Sequence, residues 1–402
     1  MAGVSSALWM AGAGAAALLL ALVLTEPLRR FAVLHGITDR PNARKAHTRP
    51  TPYLGGVAVA VATLTAGTAA ALARSVLDPA LAVLLGCGTI VCALGLIDDL
   101  RQLGPGIRLC VETSAAATVV LAGGHPTLFG SAIDAVLAVL WIVFMTNAFN
   151  LLDNMDGVAS SLCAVIGGLV CLTVASDGPG VVVAALAGAC LGFLFHNRHP
   201  ARIFLGDAGS LFLGFTLSSA VLVLHRGADG LAGPVALLLA TLIPTVDTTL
   251  VMTSRYRESR PLLQGGTDHM THRLRRMGMT VQQVVRVLCV VAALGCLCGA
   301  LVTHGAVAPG VALVAAVLVG AAAVRLLLGV PSVAGLPARA EARAGAPGRM
   351  ARSAKTLRRS GTLGRRVQPA RPADVPHSRE VGKTSAMFPA ASGPSAPDSS
   401  RG

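Results

Sequence analysis

Continuous apolar runs of a length suited to crossing a bilayer recur along this chain from residue 5 to residue 328, broken by short polar connections. The apolar positions neither alternate nor form a narrow stripe, so the runs read as helices that are apolar on all sides. In lipid such helices keep their backbone polar groups bonded internally. Eleven spans are predicted, at 5–25, 54–73, 79–97, 109–124, 131–149, 161–176, 180–196, 210–225, 231–252, 282–303 and 306–328. Most approach the roughly 20 residues that the hydrocarbon core requires. After residue 330 the pattern stops, and a segment rich in Ala, Arg, Gly, Pro and Ser follows. The expectation is an all-α integral membrane protein. A polytopic bundle of about 11 transmembrane helices forms a multi-span membrane domain over residues 1–330, and a disordered basic tail occupies 331–402.

Composition agrees with this class, since 53% of the 402 residues are hydrophobic and only 13% charged. The formal charge of +14 is concentrated in the tail, where thirteen Lys/Arg face four acids. That charge suits an anionic leaflet, and no nucleic-acid partner is expected. Alternate connections divide the remaining loop charges sixteen to two. One side holds Arg29, Arg30, Arg40, Arg44, Lys45, Arg49, Arg101, Arg108, Arg198, Arg202, Arg255, Arg257, Arg260, Arg273, Arg275 and Arg276; the other holds Arg74 and Arg226. The first set faces the cytoplasm, which places the N-terminus outside, the C-terminus inside and the protein in the cell membrane as a multi-pass protein. The N-terminal run lacks the basic start of a signal peptide and reads as an uncleaved first span. The nine cysteines lie almost entirely within apolar runs and imply no disulfide framework.

The inner connections carry the polar chemistry. The first reads DRPNARKAHTRPTPYLGG and places Lys45 and His47 between prolines, which suits an anionic ligand but also an ordinary positive-inside loop. The third span ends in GLIDDLRQLGP. Two adjacent carboxylates, Asp98 and Asp99, repel each other unless a cation or proton lies between them, and an acid within the apolar zone costs about 2.5 to 3.5 kcal/mol. The pair can bind Mg²⁺, act as a base or relay protons. The fifth span runs into NAFNLLDNMDGVASS, where Asn147, Asn150 and Asp153 share a helical face, followed by Asn154 and Asp156. Such an all-oxygen edge suits a hard cation and sugar or amide groups.

Asp207, in HNRHPARIFLGDAGSLFLG with Arg202, precedes the eighth span and lies between glycines that permit close ligand approach; it can equally cap that helix. The longest inner connection, SRYRESRPLLQGGTDHMTHRLRRMG, packs six arginines, Arg273 among them, around Asp268, His269 and His272. Zinc would find only two imidazoles and one carboxylate there, so an arginine and histidine surface for phosphates fits better. Asp247, after Pro244, is an acid within a span and therefore a functional candidate.

With these motifs in this order and on one side of the membrane, residues 1–328 resemble the polyprenyl-phosphate N-acetylhexosamine-1-phosphate transferase superfamily. By that resemblance Asp98 and Asp99 match the adjacent aspartates near the lipid phosphate, Asn150 and Asp207 match Mg²⁺-associated positions, and Lys45 matches a basic residue near the phosphates. Asp153 and Asp156 match two acids assigned to substrate positioning or catalysis, and His269 and His272 match the outer histidines of an HxHH motif. The chain departs from the pattern at Asn154, where glycine is usual, and at Thr271, which replaces the middle histidine.

The resemblance implies catalytic roles for Asp98, Asp99, Asp153 and Asp156. It implies substrate binding by Lys45, His47, Asn147, Arg202, Asp268, His269, His272 and Arg273, and a metal held by Asn150 and Asp207. The cofactor it implies is Mg²⁺, with Mn²⁺ as the alternative, and the partners it implies are a UDP-sugar and polyprenyl phosphate; a homodimer is left open. The implied reaction transfers a sugar 1-phosphate, with GlcNAc favoured, to the lipid and releases UMP, initiating cell-wall or surface-glycan synthesis. A sibling enzyme using UDP-MurNAc-pentapeptide or another UDP-HexNAc is one alternative. A proton-coupled transporter is another, although its acids would sit nearer the bilayer midplane. A CDP-alcohol phosphotransferase does not fit, because Asp156-Gly157 is followed by Val158-Ala159-Ser160.

Overall fold

The computed structural model describes residues 2–39, 51–123, 128, 131–173, 178–226, 230–261 and 266–331. Lys45, His47 and the tail expected over 331–402, apart from Pro331, lie outside the described residues.

The apolar runs fold as helices, in the order α1 (Ala2–Leu34), α2 (Gly55–Ala73), α3 (Pro79–Arg101), α4 (Pro105–Leu121), α5 (Ser131–Leu152), α6 (Val158–Thr173), α7 (Pro179–Asn197), α8 (Gly206–Leu224), α9 (Ala232–Ala240), α10 (Leu242–Arg257), α11 (Met270–Arg276), α12 (Val281–Thr303) and α13 (Pro309–Leu328). An antiparallel pairing of two-residue strands, β1 (Thr38–Asp39) with β2 (Thr51–Pro52), flanks the first loop. Helix ends follow local chemistry. Pro79 and Pro179 sit in first turns, where a missing N–H costs nothing, and Asp78 accepts the Leu81 N–H at 2.7 Å. Thr280 and Gln283 form a reciprocal capping box at α12.

Among the described residues eight helices are long and apolar enough to cross a membrane, and nine if α9 and α10 are taken as one span bent by 70°. The eleven predicted runs all fall on helices, but α6 has 16 residues and α4 has 17. At about 1.5 Å per residue each is shorter than the roughly 30 Å hydrocarbon core. The predicted span 231–252 breaks at Thr241. Pro244 explains the break: it has no N–H to donate, and its ring collides with the carbonyl four residues earlier.

The centre of the bundle is α8, buried along nearly its whole length and packed by α2, α3, α5 and α7. Association between helices in lipid depends on close contact through small residues. Gly188 and Gly192 supply it where α7 crosses α1, since a Cβ on either would lie 2.0 to 2.1 Å from a carbonyl oxygen of Gly14 or Leu18. At the periphery, α13 buries only Ala312 and Ala316.

Candidate active site

Four helices bring their ends together at one point. α3 ends with Asp98 and Asp99, α8 begins at Gly206-Asp207, α5 ends beyond Asn150, and the first turn of α4 contributes Arg108. The approach of α3 to α8 has no room for side chains. A Cβ on Gly95 would lie 2.4 Å from the Asp207 carbonyl oxygen, and one on Gly206 would lie 2.7 Å from an Asp99 carboxylate oxygen. Gly206 also has φ +73°, a left-handed conformation that favours glycine.

The two adjacent aspartates face different partners. Asp99 accepts hydrogen bonds from the backbone N–H groups of Asp207 at 2.9 Å and Ala208 at 3.0 Å, so it caps α8 from a neighbouring helix. The buried Asp98 accepts from the Leu103 N–H at 2.5 Å and from Arg108 Nη1 at 2.7 Å. The Arg108 guanidinium also donates to Asp207 Oδ2 at 3.4 Å and to Asn150 Oδ1 at 3.2 Å. Asn150 Nδ2 donates in turn to Asp207 Oδ1 at 2.8 Å and Ser210 Oγ at 2.9 Å. Oxygens from α3, α5 and α8 thus converge on one cationic group.

That convergence tests the donor set for a divalent cation. Among the described residues no three His, Cys, Asp or Glu side chains form a closed metal cage. Mg²⁺ needs none, since it is held by one or two carboxylates while its other positions are filled by water and substrate phosphate. Asp98, Asp207 and the amide oxygen of Asn150 fit that requirement, with the Arg108 guanidinium standing where the positive charge belongs.

The other described candidates take no part in this hydrogen-bond network. Asp153 lies just beyond α5, and among the described residues nothing donates to its carboxylate. Burial, with the charges of Asp207, Asp99 and Asp156, raises its pKa to about 8. Asp156 accepts from His199 Nδ1 at 2.7 Å and from the Ala201 N–H at 3.1 Å, holding the 198–204 connection. Asn147 donates to the buried Glu112 of α4 and to the Val143 carbonyl, away from Asp207. Arg202 is exposed, and its guanidinium donates to the Phe195 carbonyl at 2.9 Å.

The histidine loop is built on buried acids. Asp247 accepts from His269 Nδ1 at 2.8 Å and from the Met270 N–H at 2.7 Å, so it sets both the imidazole and the start of α11. His269 and His272 lie with ring centroids 6.3 Å apart. Burial and the charges of His269 and Arg276 lower the pKa of His272 to about 4, so its ring is neutral at physiological pH.

Asp268 and Arg273 are committed to the scaffold. Burial alone would raise the Asp268 carboxyl, but Arg260 at 2.5 Å and Arg255 at 3.3 Å hold it below the usual carboxylate range. Arg273 donates to the carbonyls of Asp268, Leu327 and Val330 and to Ser254 Oγ, which fastens the end of α13 to the loop.

Arg108 carries no motif of its own in the sequence, where it is one of sixteen loop charges on one side. Its signal is a basic residue in the first turn after the Gly104-Pro105 connection, aimed back at the preceding helix end. Glu112 has a plainer signal, because a lone acid in a predicted span is a functional candidate in itself.

The model of glycosyl transferase family 4 matches residues 81–225. A Streptomyces coelicolor protein named a glycosyltransferase is 42% identical over 277 residues, 68% of this chain and 65% of that relative. A Bacillus subtilis protein named for undecaprenyl-phosphate N-acetylglucosaminyl 1-phosphate transferase is 32% identical over 286 residues, 67% of this chain and 78% of that relative. The decaprenyl-phosphate N-acetylglucosaminephosphotransferase of Mycolicibacterium smegmatis is 31% identical over 311 residues, with 68% of this chain and 77% of that protein covered. The chain therefore spans just under two thirds of the first relative and more than three quarters of the other two.

Proposed function

The chain belongs to glycosyl transferase family 4, and on that premise we propose that it transfers N-acetylglucosamine 1-phosphate from UDP-N-acetylglucosamine to a polyprenyl phosphate and releases UMP. The names of the Bacillus and Mycolicibacterium relatives support the donor and acceptor classes. We place the site at the cytoplasmic face of the cell membrane, with eleven crossings and the N-terminus outside, because that arrangement puts sixteen of the eighteen loop Lys/Arg on one side and the ends of α3 and α5 and the start of α8 on that same side.

The observation that carries the reading is the meeting of Asp98, Asn150 and Asp207 on one cationic point. In the reaction an oxygen of the lipid phosphate attacks the β-phosphorus of the UDP-sugar, a new phosphoanhydride forms, and the bond to UMP breaks. Two anions must approach each other, so the protein's main task is to neutralise and align them. Mg²⁺, or Mn²⁺ in its place, would be held by Asp207 and Asn150 and would spread the charge of the diphosphate.

Asp98 holds Arg108, whose guanidinium neutralises the oxygen cluster before substrate binds and meets the phosphates afterwards. Asp99 positions Asp207 by capping α8. Asp153, whose carboxylate lacks a described donor, is left to the substrate. Asp247 orients His269, and the neutral His272 offers a hydrogen bond without added charge.

The test supplies purified protein with polyprenyl phosphate, Mg²⁺ and radiolabelled UDP-GlcNAc beside other UDP-sugars, UDP-MurNAc-pentapeptide included. Lipid-linked GlcNAc phosphate is the expected product. Because one phosphoanhydride replaces another, labelled UMP added with that product should also return as UDP-GlcNAc. Release of free sugar phosphate, or no lipid product with any donor, refutes the proposal.

A further inference from the structure

A groove on the far side of α10 lies outside the carboxylate centre. α10 and α13 enclose about 510 Å³ between apolar walls that include Leu242, Val246, Ala316, Val317 and Val324. Thr245 and Thr249 also line it, but their hydroxyls donate to carbonyls one turn back on their own helix, at 2.8 and 2.7 Å. Gly320 lets the helices close at the floor, where its Cβ would sit 3.3 Å from Val246.

The same groove is lined by Arg257 and Arg325, which stand in the last turns of α10 and α13. Both are exposed, and among the described residues neither guanidinium has a hydrogen bond or an ion pair. The contrast within the same loop is sharp. Arg255, Arg260, Arg273 and Arg276 are all engaged by carboxylates or carbonyls.

We propose that this groove binds an anionic phospholipid, with its headgroup phosphate between Arg257 and Arg325 and an acyl chain along the apolar wall. A single arginine at a helix end would reach for water on its own. Two on adjacent helices, lining the same apolar cleft without a counter-charge, call for a shared anion. Guanidinium pairs bind phosphate oxygens in a forked geometry, and basic pockets between transmembrane helices are sites for anionic headgroups. The sequence beyond Pro331 is itself strongly basic, with thirteen Lys/Arg against four acids, so it adds to the need for an anion.

The acceptor lipid is also an anion with an apolar chain, yet this groove does not suit it. All the lining residues belong to α9, α10 and α13, whereas the cationic point is built by α3, α4, α5 and α8. A phosphate held by Arg257 and Arg325 is held by elements that contribute nothing to that centre.

The test equilibrates the purified full-length protein with vesicles of equal phosphatidylglycerol and phosphatidylcholine, transfers it to mild detergent, and counts bound lipid by native mass spectrometry. About one phosphatidylglycerol per chain should be retained, with phosphatidylcholine at background. R257Q/R325Q should lose the preference by roughly thirtyfold. A321W, which fills the groove and leaves both arginines, should lose the lipid as well. Both variants should keep wild-type turnover per folded molecule. Equal retention of the two lipids, or unchanged phosphatidylglycerol binding in R257Q/R325Q, overturns the proposal. A raised KM for polyprenyl phosphate in that variant also overturns it, by assigning the groove to the acceptor.

Discussion

The hydroxyl of the buried Thr271 donates a hydrogen bond to the side-chain oxygen of Asn154. These are the two positions at which the chain departs from the pattern it otherwise follows, and they touch. The bond ties the connection carrying Asp153 and Asp156 to helix α11, which carries His272 and follows directly on His269. A histidine at 271 opposite a glycine at 154 would fill nearly the same space in the opposite sense, so the departures read as one exchange.

Their coupling is therefore measurable. N154G and T271H should each lower kcat/KM roughly tenfold, the first by leaving a buried hydroxyl unpaired and the second by overpacking. The double variant should recover most of the loss, a coupling of about 1 to 2 kcal/mol. T271V, which keeps the shape and removes the hydroxyl, should raise KM for the UDP-sugar more than it lowers kcat. Strictly additive losses in the cycle would show that the two positions act independently.

Asp98 and Asp99 should separate by phenotype. D98N removes the partner of Arg108 and should lower turnover by roughly a hundredfold with little change in melting temperature. D99A removes the cap of α8 and should cost about 1 to 2 kcal/mol, a fall of roughly 2 to 4 °C per kcal/mol. Scanning fluorimetry beside the transfer assay checks both, and an unaltered melting temperature in D99A would remove Asp99 from the capping role.

Metal titrations should distinguish Asp207 from Arg108. D207N should abolish turnover, by roughly a thousandfold, in a protein that still inserts and melts normally. R108Q should also be slow, but its residual activity should saturate at several-fold lower Mg²⁺, because the guanidinium no longer competes for Asp98, Asp207 and Asn150. An unchanged Mg²⁺ requirement in R108Q would mean that the cation binds elsewhere.

Acid should loosen the histidine loop in a defined window. The folded state holds His272 at about 4 against 6.5 for a free histidine. The unfolded chain therefore takes up this proton first as pH falls, so stability is full above about 6.5 and declines toward 4. The loss should amount to roughly 2 kcal/mol after allowance for partial exposure. H272Q should flatten the melting temperature between pH 7 and 5, and an unchanged pH slope in H272Q would place the titrating group elsewhere.

Much of the architecture was legible in the chain because lipid imposes a simple rule. A continuous apolar run must satisfy its own backbone, so each predicted run falls on a helix, and the polar residues left over mark one side. The run at 231–252 kept its apolar character but not its straightness, since a proline bends a helix without altering its hydropathy. Nor could hydropathy tell that α4 and α6 are short.

Residue type and spacing alone brought forward Asp98, Asp99, Asn150 and Asp207, because carboxylates and amides at a membrane boundary are costly unless something binds them. Only the tertiary structure decided how they divide the work. Asp98 and Asp99 are neighbours in sequence, but the turn of a helix points successive side chains about 100° apart, one toward Arg108 and the other onto α8. The same holds for Arg257 and Arg273, both arginines of one basic loop. The first is exposed in a groove; the second is buried on the carbonyls that end α13. Charge and hydropathy are local properties of a sequence, whereas the partner that gives a charge its role is set by packing between helices far apart in the chain.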